Sequence, residues 1–323
     1  MKKGNISIFV PHNGCPQQCA FCNQKTITGQ QQQPTPDDVV KAVETALRHK
    51  GYEYEIAFFG GSFTAIDRDY MNELLDAAAP YVKNGSVKGI RISTRPDCID
   101  SEVLTLLKEK GVTAIELGAQ SMDDAVLEAN RRGHTAQDVV QAAQLVKAFG
   151  FELGLQMMTG LYLDTDDKAI ATAEKIIALQ PDTVRIYPTV VLKGTYLEEL
   201  YDGKIYRPPT VDDAAALCTR LVPLFEKAQI KIIRLGLHAS EELKKNMVAG
   251  AYHDAFGEIV QSRFLLNRVL AYPPGNYEIL VNPRLVSRLK GQQKRNVYFL
   301  MEQGYNIKYT VTDKVDELRI IRK

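Results

Sequence analysis

The stretch from Gly14 to Asn23 reads GCPQQCAFCN and places Cys15, Cys19 and Cys22 at C-x-x-x-C-x-x-C spacing. Thiolates are soft ligands that suit iron–sulfur clusters and zinc. Structural zinc sites and ordinary iron–sulfur clusters both use four protein ligands, and no fourth cysteine lies near this stretch. A site with three cysteines leaves one metal position without a protein ligand, and an open position of this kind allows a metal to react.

The cysteine motif resembles the cluster loop of the radical S-adenosylmethionine (radical SAM) enzymes, including an aromatic residue, Phe21, before the last cysteine. The resemblance implies a [4Fe–4S] cluster on the three cysteines, with S-adenosyl-L-methionine chelating the open iron. It also implies that one electron cleaves the sulfonium to give a 5′-deoxyadenosyl radical, with a reductant such as ferredoxin or flavodoxin as a partner. The alternative is a partial zinc knuckle with His12 as fourth ligand, although zinc ribbons usually pair two C-x-x-C units.

Length, charge and cysteine usage are those of an ordinary intracellular protein. The 323 residues suffice for one large α/β barrel or two medium domains. The net charge of +1 means that any nucleic-acid surface must be local. No apolar run approaches the roughly 18 residues of a membrane span, and no signal-peptide pattern follows Met1. Clustered cysteines fit a reducing compartment, with Cys98 and Cys218 as buried small residues. We expect a cytoplasmic protein without membrane contact.

Six apolar strands alternate with six amphipathic helices along the first 227 residues. Such alternation predicts a parallel sheet with helices outside it, and barrel enzymes of this kind react at the carboxyl ends of their strands. Because most radical SAM enzymes have an incomplete six-unit barrel, we expect a partial (β/α)6 TIM-like barrel. The predicted strands are 5–10, 56–59, 89–93, 114–118, 151–158 and 183–187, and the helices begin near 36, 70, 101, 136, 166 and 211.

The remaining residues, 228–323, predict a C-terminal α/β extension packed on the barrel of residues 1–227, because no linker-like segment separates the two. A further strand is expected at Ile230–Leu235, and residues 239–271 look mainly helical. Tyr305–Tyr309 and Leu318–Ile321 are expected to form strands of a terminal hairpin.

The predicted ends of the second and third strands carry candidate cofactor residues. Gly60, Gly61 and Ser62 occupy the place where radical SAM enzymes bind the amino group of the methionine moiety, although a tight turn is the alternative interpretation. Thr94 and Arg95 end the third strand. They are candidates for cofactor contact or for a structural salt bridge.

Three further cofactor candidates lie at the ends of the fourth and fifth strands and before the helix that follows the fourth strand. Gln120 resembles the glutamine that meets the cofactor ribose in the coproporphyrinogen-oxidase branch. By register with it, Arg132 is the candidate for the methionine carboxylate, which a guanidinium matches bidentately. Gln156 is a candidate cofactor residue at the end of the fifth strand. Glu116 is expected to face inward, either as a functional group or as the partner of an arginine.

A longer match resembles the catalytic subunit of Elongator. It comprises VRIYPTVVLKGT at 184–195, PHNGCP at 11–16 and RGHT at 132–135, and it covers most of residues 5–235. This family acts on the wobble uridine of tRNA, so the resemblance implies tRNA modification and tRNA as a partner. We expect its acetyltransferase domain of about 150 residues to be missing. Lys193 could contact substrate or be a solvated surface residue.

We therefore expect a radical SAM enzyme, with two alternatives. The first is a radical SAM reaction on a tetrapyrrole or another small molecule, because the cofactor residues also resemble the coproporphyrinogen branch. The second is a non-catalytic iron–sulfur protein that binds RNA. A basic cluster near Tyr298 would suit RNA, although a solvated helix is the alternative; its members are Arg284, Arg288, Lys290, Lys294 and Arg295.

Overall fold

A parallel seven-stranded sheet that curls into a half-barrel is the centre of the molecule. The structure is a computed structural model, and it describes residues 2–11, 18–23, 32–238 and 240–323. The strand order is β1-β2-β3-β4-β5-β6-β8, so six strands follow the chain in sequence and a seventh is added at one edge. These strands are β1 (Lys2–Val10), β2 (Tyr52–Gly60), β3 (Ile90–Thr94), β4 (Val112–Gln120), β5 (Glu152–Thr159), β6 (Thr183–Pro188) and β8 (Lys231–Leu235).

Helices connect the strands and cover the outer face of the sheet. Several begin at threonine caps whose hydroxyl accepts the N–H three residues on, as at Thr35, Thr135 and Thr210, which satisfies a donor of the first turn. The predicted partial barrel is confirmed. The barrel helices are α1 (Pro36–Leu47), α2 (Arg68–Lys83), α3 (Ser101–Glu109), α4 (Asp124–Ala129), α5 (Ala136–Ala148), α6 (Asp166–Ala178), α7 (Tyr196–Asp202) and α8 (Val211–Lys227).

The largest hydrophobic core lies between the sheet and these helices. Ile56, Phe58 and Ile92 of the central strands are fully buried there. At the carboxyl edge, Val10 pairs with Gly60, so the segment that follows β1 starts beside the turn that follows β2. Short elements at this end were not predicted: α4, α7, and the two-stranded sheet of β7 (Val190–Leu192) with β9 (Met247–Gly250).

The C-terminal segment builds a second sheet and a second core. Its helices are α9 (Glu241–Asn246), α10 (Phe256–Leu270), α11 (Val286–Lys290) and α12 (Arg295–Glu302), and its strands are β10 (Asn276–Val281), β11 (Asn306–Val311) and β12 (Leu318–Arg322). One end of α10 packs in the barrel core and the other end in the second core. The boundary at 227/228 stays a prediction.

The predicted terminal hairpin is wrong. β11 and β12 both form, but β10 lies between them, parallel to β11 and antiparallel to β12. The physical reason is burial: Tyr277, Ile279 and Val281 of β10 are almost completely buried, whereas the residues of β11 and β12 are half-buried or exposed. The most apolar strand therefore takes the central position, where it is paired on both sides.

Candidate functional site

Gly60 determines how closely the chain after β1 can approach β2. Its φ is +120°, and a Cβ at this position would lie 2.6 Å from the carbonyl oxygen of Val10. The next amide, that of Gly61, donates a hydrogen bond to the same oxygen at 3.1 Å. Only glycine combines this backbone conformation with this contact, so the Gly60–Gly61 turn fixes where the cysteine segment leaves the barrel.

The cysteine segment is described in part. Cys15 and His12 lie outside the described residues, whereas Cys19 is buried and Cys22 is half-buried. Ala20, between these two cysteines, donates its N–H to the carbonyl of Asn130 at 3.0 Å and accepts a hydrogen bond from the N–H of Leu197 at 2.8 Å. The second half of the motif is therefore attached through its backbone to the C-terminal end of α4 and to the first turn of α7.

Lys193, whose role the sequence left open, lies beside the cysteine segment. Its carbonyl accepts a hydrogen bond from Nδ2 of Asn23 at 3.0 Å, and its side chain is exposed. Within the described ranges, no group of three or more His, Cys, Asp or Glu side chains is arranged to hold a metal.

Arg132 links the cysteine segment to the fourth strand. Its guanidinium donates from Nη1 to Sγ of Cys19 at 3.0 Å and from Nη2 to the carbonyl of Gly118 at 2.7 Å. Its Nε is buried and has no hydrogen-bond partner among the described residues. The buried guanidinium thus holds the sulfur of Cys19 beside the fourth strand. The sequence pointed to Arg132 as a carboxylate ligand, and this contact with a cysteine was not predicted.

Gln120 ends β4 in a left-handed conformation, with a φ of +64°. Its Oε1 is buried and has no partner among the described residues. A Cβ placed on Gly118 would lie 2.9 Å from Nε2 of Gln120 and 3.4 Å from Nη2 of Arg132. These two side chains therefore converge over a glycine and leave a buried acceptor and a buried donor unused, which fits a polar ligand with hydroxyl and carboxylate groups.

The other candidate residues at the strand ends are hydrogen-bonded to one another. Oγ of Ser62 lies 2.8 Å from Oγ1 of Thr94 and accepts the N–H of Arg95 at 3.2 Å. The guanidinium of Arg95 donates to both carboxylate oxygens of Asp97, at 2.9 and 2.7 Å, and to the carbonyl of Arg132 at 2.6 Å. Arg95 thus forms the structural salt bridge that was one of its two expected roles. Its Nη1 is buried and has no hydrogen-bond partner among the described residues.

Inside the barrel, Glu116 is almost completely buried and surrounded by donors. Arg185 binds it bidentately at 2.6 and 2.9 Å, Gln156 donates to it at 3.0 Å, and Arg91 lies 3.5 Å away. Burial alone would lower the pKa of Arg185, but the contacts with Glu116 outweigh it and raise the pKa. Gln156 also donates to Ser93 at 3.4 Å, so this candidate belongs to the polar network below the strand ends.

Arg91 and Arg185 were not selected from the sequence, although the strands carry a signal. β3 presents Arg91 and Ser93, and β6 presents Thr183, Arg185 and Tyr187, each at every second position of a buried strand. Alternate residues of a strand point to the same side of the sheet, so polar residues at this spacing predict a polar barrel interior.

Three titratable residues of the barrel do not charge readily. Burial, and then the charge of Arg132, lower the pKa of His134 to about 4, and its Nε2 donates to the carbonyl of Ala119 at 3.3 Å. Cys218 is buried, as expected, and burial raises its pKa to about 12. Cys98 is only half-buried, and its pKa is raised by burial and by Asp97 against the effects of Ser62 and Arg95.

Comparisons with known proteins show which families and relatives the chain resembles. The family model described as Radical SAM superfamily matches residues 9–176, and the Radical_SAM C-terminal domain model matches residues 181–265. An uncharacterized protein of Methanocaldococcus jannaschii is 31% identical over 216 residues, covering 66% of this chain and 63% of that protein. A tRNA uridine(34) acetyltransferase of Dehalococcoides mccartyi is 27% identical over 240 residues, covering 63% and 52%.

Human Elongator complex protein 3 is 30% identical over 198 residues, covering 55% of this chain and 36% of that protein. Among solved structures, the archaeal Elp3 of Methanocaldococcus infernus with an N-terminal deletion superposes with a TM-score of 0.66 at 21% identity, covering 84% and 64%. The chain therefore spans between about a third and about two thirds of the length of these curated relatives. No helix in the described ranges is long and apolar enough to cross a bilayer.

Proposed function

Since this chain belongs to the Radical SAM superfamily, we propose that it is an enzyme that cleaves S-adenosyl-L-methionine with a [4Fe–4S] cluster at the carboxyl ends of its barrel strands and acts in tRNA modification. The observation that carries the proposal is the convergence of Cys19, Arg132 and Gln120 at that edge, with unused buried donor and acceptor atoms.

The residues divide into those that hold the cluster and those that hold the cofactor. Cys15, Cys19 and Cys22 are the proposed cluster ligands. When bound, the cluster supplies the electron that splits the sulfonium into methionine and a 5′-deoxyadenosyl radical. Arg132 orients Cys19 through the hydrogen bond from its Nη1 to the sulfur. The proposed cofactor ligands are Gly60, Gly61, Ser62, Thr94, Gln120, Arg132 and Gln156.

The proposed substrate class rests on the relatives and on the barrel interior. The relatives include proteins named tRNA uridine(34) acetyltransferase and Elongator complex protein 3. The side chains of Glu116, Arg185 and Gln156 make the barrel interior beneath the site polar, which suits a polar base better than an apolar substrate. A low-potential electron donor such as ferredoxin or flavodoxin completes the proposed reaction, and the cytoplasm is its proposed compartment.

Turnover of S-adenosyl-L-methionine tests this proposal. We expect the anaerobically reconstituted chain, supplied with dithionite, to form 5′-deoxyadenosine and methionine. Cys19→Ala should abolish product formation, whereas Cys218→Ala, which removes a buried thiol within α8, should retain it. Product formation by the Cys19→Ala variant at the wild-type rate would refute the cluster assignment. A wild-type protein that holds the cluster but forms no product would favour the non-catalytic alternative.

A further inference from the structure

The second core supports a helix–turn–helix unit between two parallel strands. The chain runs from β10 through α11, a four-residue turn of Gly291-Gln292-Gln293-Lys294, and α12 to β11, which pairs parallel to β10. The turn joins the two helices at an exposed corner, where Gln292, Gln293 and Lys294 are all solvent-accessible. In RNA-binding modules of the KH type, a Gly-x-x-Gly turn clamps the backbone of four nucleotides.

The turn has a fixed base and an unusual backbone. Gly291 has a φ of +73°, and a Cβ there would lie 2.9 Å from Cγ of Asn296. The buried amide of Asn296 donates to the carbonyl of Leu289 at 3.1 Å and to Oγ of Ser262 at 2.9 Å. Lys294 has a left-handed φ of +61°, a conformation that glycine adopts without strain. Lys294 therefore takes a backbone conformation that favours glycine and adds a cation at the last position of the turn.

Positive charge is concentrated around this turn. Between Arg284 and Lys308 the sequence has six Lys and Arg residues and one acidic residue, Glu302, a local charge of +5 in a chain whose total is +1. In the described chain, the ion pairs of this segment are limited to Arg295 with Asp212, 3.7 Å apart. Arg284 donates to the carbonyl of Asp316 at 2.7 Å, and Lys308 lies on the strand next to Glu278, whose pKa is lowered by Lys323 and also by Lys308. Arg288, Lys290 and Lys294 have no ion pair among the described residues and are available to an external polyanion, and clustered cations of this kind bind phosphates.

Apolar surface lies next to the cations. Tyr298 and Met301 of α12 are 57% and 64% exposed. A cavity of about 410 Å³ opens between α12 and the edge strand β11, and its lining includes Met301, Ile307 and Tyr309. The ammonium of Lys290 lies 6.0 Å from the ring centre of Tyr309. Aromatic and apolar side chains beside a cationic track are the arrangement on which unpaired bases stack.

The ion pair with Asp212 places this surface relative to the barrel. Asp212 is in the first turn of α8, and α8 is the last helix on the path from β6 to β8 and leads directly into β8, which is parallel to β6. A helix that connects two parallel strands runs back from their carboxyl ends, so its N-terminus lies at the carboxyl edge of the sheet. Arg295, the residue after the turn, therefore lies on the side of the barrel that carries the candidate active site.

We propose that the turn 291–294, the cations of α11 and α12, and the cavity beside β11 form a second binding site, which holds a single-stranded RNA segment next to the barrel mouth. The phosphates would lie along the turn and the bases against the apolar cavity. The choice of RNA as the polyanion rests on the proposed function. The location of the site and its cationic and apolar chemistry are independent of that function.

The test uses the full chain without cluster or cofactor, so that its result is independent of turnover. A fluorescently labelled oligouridylate is titrated by anisotropy at several salt concentrations. We expect Lys294→Gly to weaken binding by about fivefold at about 0.1 M salt and to lower the salt slope by about 0.7, the loss of one phosphate contact. Its melting temperature should equal or exceed that of the wild type, because glycine relieves the left-handed backbone.

Lys204→Gly is the matched control, since Lys204 is also an exposed lysine with a left-handed φ, +57°, and its removal should leave the affinity unchanged. The proposal is overturned if Lys294→Gly binds like the wild type, if Lys204→Gly loses as much affinity, or if the wild type does not bind the oligouridylate. Equal or tighter binding of an RNA duplex, or of polyglutamate as an acidic protein segment, would overturn it as well.

Discussion

At the residue scale, Arg132 connects three parts of the candidate site. Its guanidinium contacts the thiol of Cys19 and the carbonyl of Gly118, and its own carbonyl accepts a hydrogen bond from Arg95. Two neighbouring guanidinium groups, those of Arg132 and Arg95, make the surroundings of Cys19 electropositive. The same positive charge acts on His134, which follows two residues later.

His134 should make the stability of the fold depend on pH. Its folded-state pKa of about 4 is below the ordinary 6.5, so the unfolded chain binds a proton in this window and the folded chain does not. Stability therefore falls as the pH drops from about 6.5 to 4, by at most about 3 kcal/mol. We expect His134→Gln to flatten this acid limb in urea unfolding at pH 7, 5.5 and 4.5.

The comparison with the wild type is essential, because Asp164 acts with the opposite sign. Burial raises its pKa to about 6, so the folded chain takes up a proton at Asp164 in the same window. Since both proteins contain Asp164, its contribution cancels in the difference between them. Equal pH slopes for the wild type and His134→Gln would contradict the assignment of the acid limb to His134.

At the scale of elements, the interior of the barrel is held by Glu116 on β4 and Arg185 on β6. Glu116→Ala should lower the free energy of unfolding by about 3–5 kcal/mol, because it leaves Arg185 buried without its anion. The double variant Glu116→Leu/Arg185→Met removes both charges and should recover most of that loss. Urea midpoints of the three proteins measure this; a double variant as unstable as the single one would contradict it.

Elements with a long, regular pattern could be predicted from the sequence, and shorter ones could not. Buried strands such as Ile56–Phe59 and capped helices such as the one after Thr35 carry their own signal. The pairing of β10 with both β11 and β12 depends on which strand buries more surface in the folded molecule, and the short β7 depends on its partner β9. Local periodicity contains neither of these long-range relations.

The same distinction holds for the candidate site. The spacing of the cysteines and the glycine pair after β2 are local signals, and they led to the family and to the edge of the barrel where the site lies. The contact between Arg132 and Cys19 joins residues 113 positions apart, and Glu116 and Arg185 are 69 apart. Contacts of this kind exist only after the strands are placed side by side, so the sequence offered candidates without their partners.

At the scale of the whole molecule, the barrel and the C-terminal unit present their polar features on the same side. The candidate active site lies at the carboxyl ends of the strands, and Arg295 reaches the first turn of α8 at that edge. A substrate with a phosphate backbone could therefore contact both units at once, which would raise its effective concentration at the barrel. This arrangement joins the two proposals, of which the second takes its choice of RNA from the first.

Electron paramagnetic resonance of the anaerobically reconstituted and reduced chain, with and without S-adenosyl-L-methionine, tests the central claim most directly. A cluster on three cysteines has an iron without a protein ligand. We therefore predict a [4Fe–4S] signal whose g-values shift when the cofactor is added. A spectrum that is unchanged by the cofactor, or a metal centre bound by four protein donors, would contradict the account.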